Sequence, residues 1–126
     1  MTTKDIENTI YKHLKKKGNY MVFECAVPRS YQNKYHRERV DLLSYDTKGN
    51  WRFYELKNSV SDFHSKSSHT FLGHYNYYVM PEKVYNKVKE EIPKHVGVWV
   101  IYSYNSNKFF ASCEQKPKKQ QLKVKH

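Results

Sequence analysis

Acidic residues, cysteine and glycine are all scarce in this chain, and each scarcity narrows what it can be. Only 12 Asp and Glu stand against 23 Lys and Arg in 126 residues, for a formal charge of +11 and a pI near 9.6. That excess is more than solubility requires. It points to a polyanionic partner, nucleic acid first, because phosphate neutralisation supplies most of the non-specific affinity. The two cysteines, Cys25 and Cys113, are isolated and make no Cys-x-x-Cys pair, so they read as reduced, buried thiols of a cytoplasmic protein rather than a disulfide framework. There is no run of about 18 apolar residues to span a membrane and no strongly amphipathic anchor. The opening Met1-Thr2-Thr3-Lys4-Asp5 has no apolar signal region, so neither a membrane partner nor secretion is expected. The four glycines make no phosphate-cradling loop, and no Gly-x-Ser-x-Gly nucleophile motif occurs. His64, His69 and His74 recur at five-residue spacing, which does not align imidazoles on one helix face and so argues against zinc.

What is present suits one domain with a real core. We expect that domain over residues 1–115, followed by a basic, flexible tail over 116–126 that either lies on a nucleic acid backbone or is merely solvated. Ile6, Ile10 and Leu14 at four-residue spacing, with Gly18 as cap, predict a helix over residues 4–17. Tyr20 to Val27 reads as a first strand. Polar residues from Asn58 to Leu72, with Phe63 and Phe71 eight apart, suggest a loose second helix. Tyr75 to Met80 is aromatic and strand-like, and Pro81 opens a third helix ending near Ile92. Val96 to Tyr102 is a buried strand, and Lys108 to Glu114 the last. The pattern is α/β or α+β, in the order αβββαβ followed by αββ: a mixed central sheet flanked by helices.

Between the first and second helices lies the stretch that carries the chemistry. Arg39 to Tyr45 and Trp51 to Lys57 are strand-like runs joined by Asp46-Thr47-Lys48-Gly49-Asn50. If Gly49 takes the left-handed position of a three-residue loop, Asp46 faces Asn50, Asp41 lies opposite Glu55, and Arg39 lies opposite Lys57. Like charges so placed repel unless a cation lies between them. Side-chain alternation then puts Lys57 on the face of Glu55. If the loop is Lys48-Gly49 alone, Asp41 faces Leu56 instead. Glu24 is a carboxylate in mid-strand, either turned inward as a third ligand or outward and solvated. Glu7, beside the apolar stripe of the first helix, is either solvated or at the rim of a metal site. A surface ion-pair cluster built on the same residues is the plain structural alternative.

The arrangement of Asp41 on the second strand and Glu55-Leu56-Lys57 on the third resembles the PD-(D/E)XK nuclease superfamily, with its restriction endonuclease-like core. Arg39-Val40-Asp41-Leu42, Glu55-Leu56-Lys57-Asn58-Ser59 and Asp62-Phe63 resemble motifs of the MmcB-like DNA repair proteins. So do Tyr77-Tyr78-Val79-Met80-Pro81 and the position of Glu24. The similarity spans about residues 4 to 102. Lys66, Ser68, His69 and His74 depart from that family's pattern.

The resemblance implies a DNA-hydrolysing, metal-dependent enzyme, cytoplasmic and gathered on the nucleoid when bound. Its catalytic residues would be Asp41, Glu55 and Lys57. Asp41, Glu55 and the carbonyl of Leu56 would hold Mg²⁺ or Mn²⁺, with Glu24 and Glu7 as candidate further ligands. Arg39, Ser59, Lys66, His69, Lys116, Lys118 and Lys119 are candidate nucleic-acid contacts, on linear, branched or single-stranded DNA. One site per chain would nick a single strand, so double-strand cutting would call for a homodimer. The reading from another class is a nucleic-acid-binding module that keeps the scaffold without turnover.

Overall fold

The computed structural model describes residues 1–16, 18–28, 37–65 and 71–122. The elements are α1 (Thr3–Lys15), β1 (Tyr20–Pro28), β2 (Arg37–Tyr45), β3 (Trp51–Leu56), α2 (Val60–His64), β4 (Tyr75–Pro81), α3 (Glu82–Val88), a 3-10 turn (Lys89–Glu91), β5 (Gly97–Asn105) and β6 (Lys108–Gln115). The six strands form one mixed sheet in chain order, β1 to β6. β1, β2 and β3 pair antiparallel, β3, β4 and β5 pair parallel, and β6 returns antiparallel on β5. The protein is thus α+β, with a mixed six-stranded sheet flanked by helices, and none of its described helices is long and apolar enough to cross a membrane.

Each face of the sheet is covered by the helix whose apolar stripe fits it. Thr2 and Asp5 close a capping box at the start of α1, which satisfies amide groups the first turn would leave unbonded. Its Ile6, Ile10 and Leu14 then pack on Leu42, Tyr54, Leu56, Tyr77, Val79, Trp99 and Ile101. On the opposite face, Val84 and Val88 of α3 pack with Phe63 of α2 on Tyr78, Met80, Val98 and Val100.

The hairpin register follows the three-residue loop. Leu42 pairs with Tyr54 and Tyr45 with Trp51, the Asp46 amide donates to the Asn50 carbonyl at 3.1 Å, and Gly49 holds a φ of 86°. That is a backbone conformation glycine adopts without steric cost.

Several expectations need correction. The second helix stops at His64, because Ser65 turns extended at its end; Lys66 to Thr70 lie outside the described residues. Phe71 therefore does not continue the helix and meets the Tyr78 ring edge-on at 5.6 Å. Pro81 ends β4 and stands just before α3 rather than in its first turn. Cys113 is exposed rather than buried: Phe109 and Ala111 of the edge strand β6 pack beside α1, and two residues further on that cover has ended.

The segment after Gln115 is not a loose tail as far as Leu122. The Lys118 amide donates to the His95 carbonyl at 3.0 Å, and the Gln120 amide to that of His74 at 2.8 Å. The Gln120 side-chain amide donates to the carbonyls of Phe71 at 2.6 Å and Gly73 at 2.9 Å. A Cβ on Gly97 would come within 2.6 Å of the Tyr77 ring and 2.8 Å of Pro117, so glycine there makes room for both. The side chains of Lys116, Lys118 and Lys119 are exposed.

Candidate functional site

β2 leaves both neighbouring ladders at Asp41. Its pairing with β1 passes from Phe23–Leu42 to Cys25–Val40 and skips the step where Glu24 would meet Asp41. Its pairing with β3 ends at Leu42–Tyr54, one step before Asp41 would meet Glu55. The alternation of side chains breaks at the same place. Leu42 packs on the α1 side, whereas Val40 packs with Leu43, Phe53 and Leu72 on the other; two residues apart in a regular strand, they would share a face. Glu24, across from the break, holds a left-handed φ of 52°, a conformation non-glycine residues adopt at a cost.

The freed Asp41 carboxylate accepts a hydrogen bond of 2.9 Å from the Leu56 amide. It therefore reaches the peptide between Glu55 and Lys57 rather than standing in a simple cross-strand pair. The expected Arg39–Lys57 opposition does not form, because the β2–β3 ladder has ended and Arg39 pairs through its backbone with Ala26.

Glu55 and Lys57 alternate with Tyr54 and Leu56, which face α1, and so point to the α2 and α3 side. Glu55 is 0% exposed and Lys57 1%. Taking two ionisable side chains out of water at one strand end is costly unless close polar neighbours offset it. For Lys57 a described neighbour is the Asp62 carbonyl, 3.3 Å from Nζ. The Lys57 amide donates to Val79 of β4 at 2.9 Å, which fixes the end of β3 against the sheet centre.

The turn that follows is tightly capped. Ser59 Oγ accepts from the Asp62 amide at 2.9 Å, and Asp62 Oδ2 accepts from the Asn58 amide at 3.2 Å. Ser59, expected to contact nucleic acid, thus serves as the N-cap of α2. Asn58 Nδ2 also donates to Thr3 Oγ1 at 3.3 Å, joining this turn to the start of α1.

Tyr78 forms the neighbouring wall. It is the Cα partner of Glu55 on β4, packs 5.2 Å from the Phe63 ring, and its hydroxyl pKa is pushed up to about 12, first by burial and then by the negative charge of Glu55. Sequence reasoning did not place Tyr78 at the site. The register of a parallel strand pair leaves no local mark in the sequence.

The structure therefore brings Asp41, Leu56, Glu55 and Lys57 together where β2 and β3 splay. Glu24 is exposed and Glu7 half-buried. Among the described residues, no group of three or more His, Cys, Asp or Glu is placed to hold a metal ion. Two carboxylates still suit a hard divalent cation of the Mg²⁺ kind, which commonly binds through one or two carboxylates with the remaining positions taken by water and substrate phosphates. Lys66 and His69 lie outside the described residues, and the side chain of Arg39 is likewise not described.

No known protein family matches the chain, and no curated protein sequence matches it. Among solved structures it is similar to a protein of unknown function from Silicibacter pomeroyi, at a TM-score of 0.72 and 18% identity, over 97% of this chain and 75% of that one. At that identity the likeness concerns the fold alone.

Proposed function

We propose that this chain is a metal-dependent nuclease with a restriction endonuclease-like core, hydrolysing phosphodiester bonds of DNA. The observation that carries this reading is the Asp41–Leu56 hydrogen bond of 2.9 Å. It gathers one carboxylate onto the peptide that links a fully buried carboxylate to a fully buried lysine. A surface ion-pair cluster has no need of such burial, and the 0% and 1% exposures of Glu55 and Lys57 weigh against that alternative.

In this reading Asp41, Glu55 and the Leu56 carbonyl would hold Mg²⁺ or Mn²⁺. Bound there, the cation would lower the pKa of a water and offset charge on the reacting phosphate. Lys57, steadied by the Asp62 carbonyl, orients the attacking water or stabilises the same developing charge. Tyr78 stands beside Glu55 on the neighbouring strand and packs on Phe63. Asp41 has two tasks, since the oxygen that accepts from Leu56 also fixes the direction of the other. The net charge of +11 supports a polyanionic substrate.

Cleavage of linear, branched and single-stranded DNA with Mg²⁺, Mn²⁺ or EDTA tests this. Metal-dependent cutting that disappears in Asp41→Asn, Glu55→Gln and Lys57→Met proteins supports the reading. No cutting of any substrate, with DNA binding intact in wild type and all three variants, leaves the non-catalytic binding module in its place.

A further inference from the structure

We propose that the outer edge of β6 is a homodimer interface, where a second copy of this chain adds its own β6 antiparallel across a two-fold axis at Ala111. The inference concerns the sheet alone and stands whether or not the Glu55–Lys57 site cuts DNA.

β6 is the last strand of the sheet and pairs with β5 on its inner side. Among the described residues, no further backbone hydrogen bond reaches Lys108 to Glu114, and none of the strand's 8 residues is buried. A concavity of about 560 Å³ runs beside it, lined by Asn107, Lys108, Phe109, Phe110 and Ala111 in unbroken sequence, with α1 as its other wall. Phe109 and Ala111 lie on the α1 face, whereas Phe110 stacks at 5.2 Å on Tyr102, which packs on the α3 face. Successive side chains of a strand point to opposite faces. A space that touches all of them therefore meets the strand along its edge.

An open edge of this kind is a template for another strand, and natural edges are commonly blunted by charge, proline or a bulge. β6 has neither charge nor proline between Lys108 and Glu114. Its ladder with β5 shifts register only near the two ends, which leaves Phe109 to Cys113 regular. That regular stretch is centred on Ala111.

Symmetry and charge select the same centre. Opposed residues of antiparallel strands share a face, so a two-fold axis passes beside one residue and not between two. At Ala111 it sets Lys108 opposite the second copy's Glu114, and Glu114 opposite the second copy's Lys108, so an attractive pair closes each end of the seam. An axis at Ser112 would set Lys108 against the second copy's Lys116, and one at Phe110 would set it against the second copy's Ser112. The Tyr102 hydroxyl donates to Glu114 Oε1 at 2.8 Å, which holds that carboxylate on the face where Phe110 and, by alternation, Lys108 lie. Phe110, 46% exposed, then stands diagonal to the second copy's Phe110, within reach for aromatic side chains.

The charge of +11 on each chain opposes association. At about 0.15 M salt, however, exposed charges more than about 8 Å apart are largely screened, whereas the opposed Lys–Glu pairs are in contact.

Sedimentation equilibrium of the full chain between about 1 µM and 1 mM, in about 0.15 M salt, tests the proposal, with circular dichroism to show that each variant is folded. Wild type is expected to be a monomer–dimer mixture. Lys108→Glu and Glu114→Lys are each expected to weaken the dimer roughly tenfold, because each sets like charges opposite one another at both ends of the seam. The double swap, Lys108→Glu with Glu114→Lys, is expected to restore it. Ala111→Cys in a Cys113→Ser background is expected to give dimers cross-linked through residue 111 by a short bismaleimide.

A monomer across the whole range would overturn the proposal. So would single charge reversals that leave the dimer unchanged, a double swap that fails to restore it, or no cross-link through residue 111. Species larger than a dimer would do so too, since they would mean that β6 pairs with the β1 edge of the next copy.

Discussion

The carboxylate of Asp41 holds the amide of Leu56 at 2.9 Å, across strands whose own ladder has stopped one residue earlier. A side chain here does the work of a backbone carbonyl, so its charge and its hydrogen-bonding capacity can be separated. Asp41→Asn keeps an oxygen for the Leu56 amide and is expected to lose less than about 1 kcal/mol of stability, whereas Asp41→Ala leaves the amide unsatisfied and is expected to lose about 1–3 kcal/mol. Urea unfolding of the two variants measures the difference. Equal losses would mean that this bond does not position the site.

The hairpin and its register are legible in the sequence because Gly49 is the residue a left-handed loop position calls for, and alternation then fixes the faces. The break at Asp41 is not legible. Nothing in Arg39-Val40-Asp41-Leu42 indicates that Val40 and Leu42 bury on opposite faces, since that follows from how β1 and β3 diverge around it. The partnership of Glu55 with Tyr78 depends on a parallel crossover, whose register is set by packing rather than by turn residues. The docking of residues 116–122 escapes notice for a similar reason. Gln120 reaches backbone carbonyls about fifty positions away, and a basic composition alone suggests a solvated tail.

Gly49 sets the loop with a φ of 86°, and a Cβ there meets nothing closer than 3.9 Å. Its substitution therefore tests conformation and not crowding. Gly49→Ala is expected to cost about 1 kcal/mol, or roughly 4 °C in Tm for a chain of this size. An unchanged melting temperature would argue against the three-residue loop.

Asp46 anchors the same turn. Burial alone would raise its carboxyl pKa, but hydrogen bonds from Asn50, Arg52 and Lys48 outweigh it and hold the group well below its ordinary 3.8; Arg52 Nη1 lies 2.6 Å away. Because the folded pKa is depressed, this contribution is fully present above the unfolded value and is lost as pH falls below about 4. Asp46→Asn is expected to lower stability at neutral pH and to flatten the acid limb of the stability profile, followed by thermal melts between about pH 2 and 7. An acid limb as steep as that of wild type would contradict the assignment.

Gln120 ties the C-terminal segment to the loop before β4 through two side-chain hydrogen bonds. Gln120→Ala is expected to cost about 1–2 kcal/mol and to raise amide exchange over residues 71–74, which hydrogen exchange read by mass spectrometry would detect. A change below about 0.5 kcal/mol, typical of a solvated surface position, would show that the segment is not docked in solution.

The most direct measurement of the central claim is single-turnover cleavage of labelled DNA in Mn²⁺ by wild type and by Glu55→Gln, with both proteins first shown to be folded by circular dichroism. Glu55 is wholly buried beside Tyr78, and the amide replaces its charge with little change of shape. The account predicts metal-dependent cutting by wild type, stopped by EDTA, and a loss of at least about a hundredfold in the variant, the scale expected when an electrostatic contributor to the transition state is removed. Cutting by Glu55→Gln at the wild-type rate, or none by wild type in any divalent metal, would contradict it.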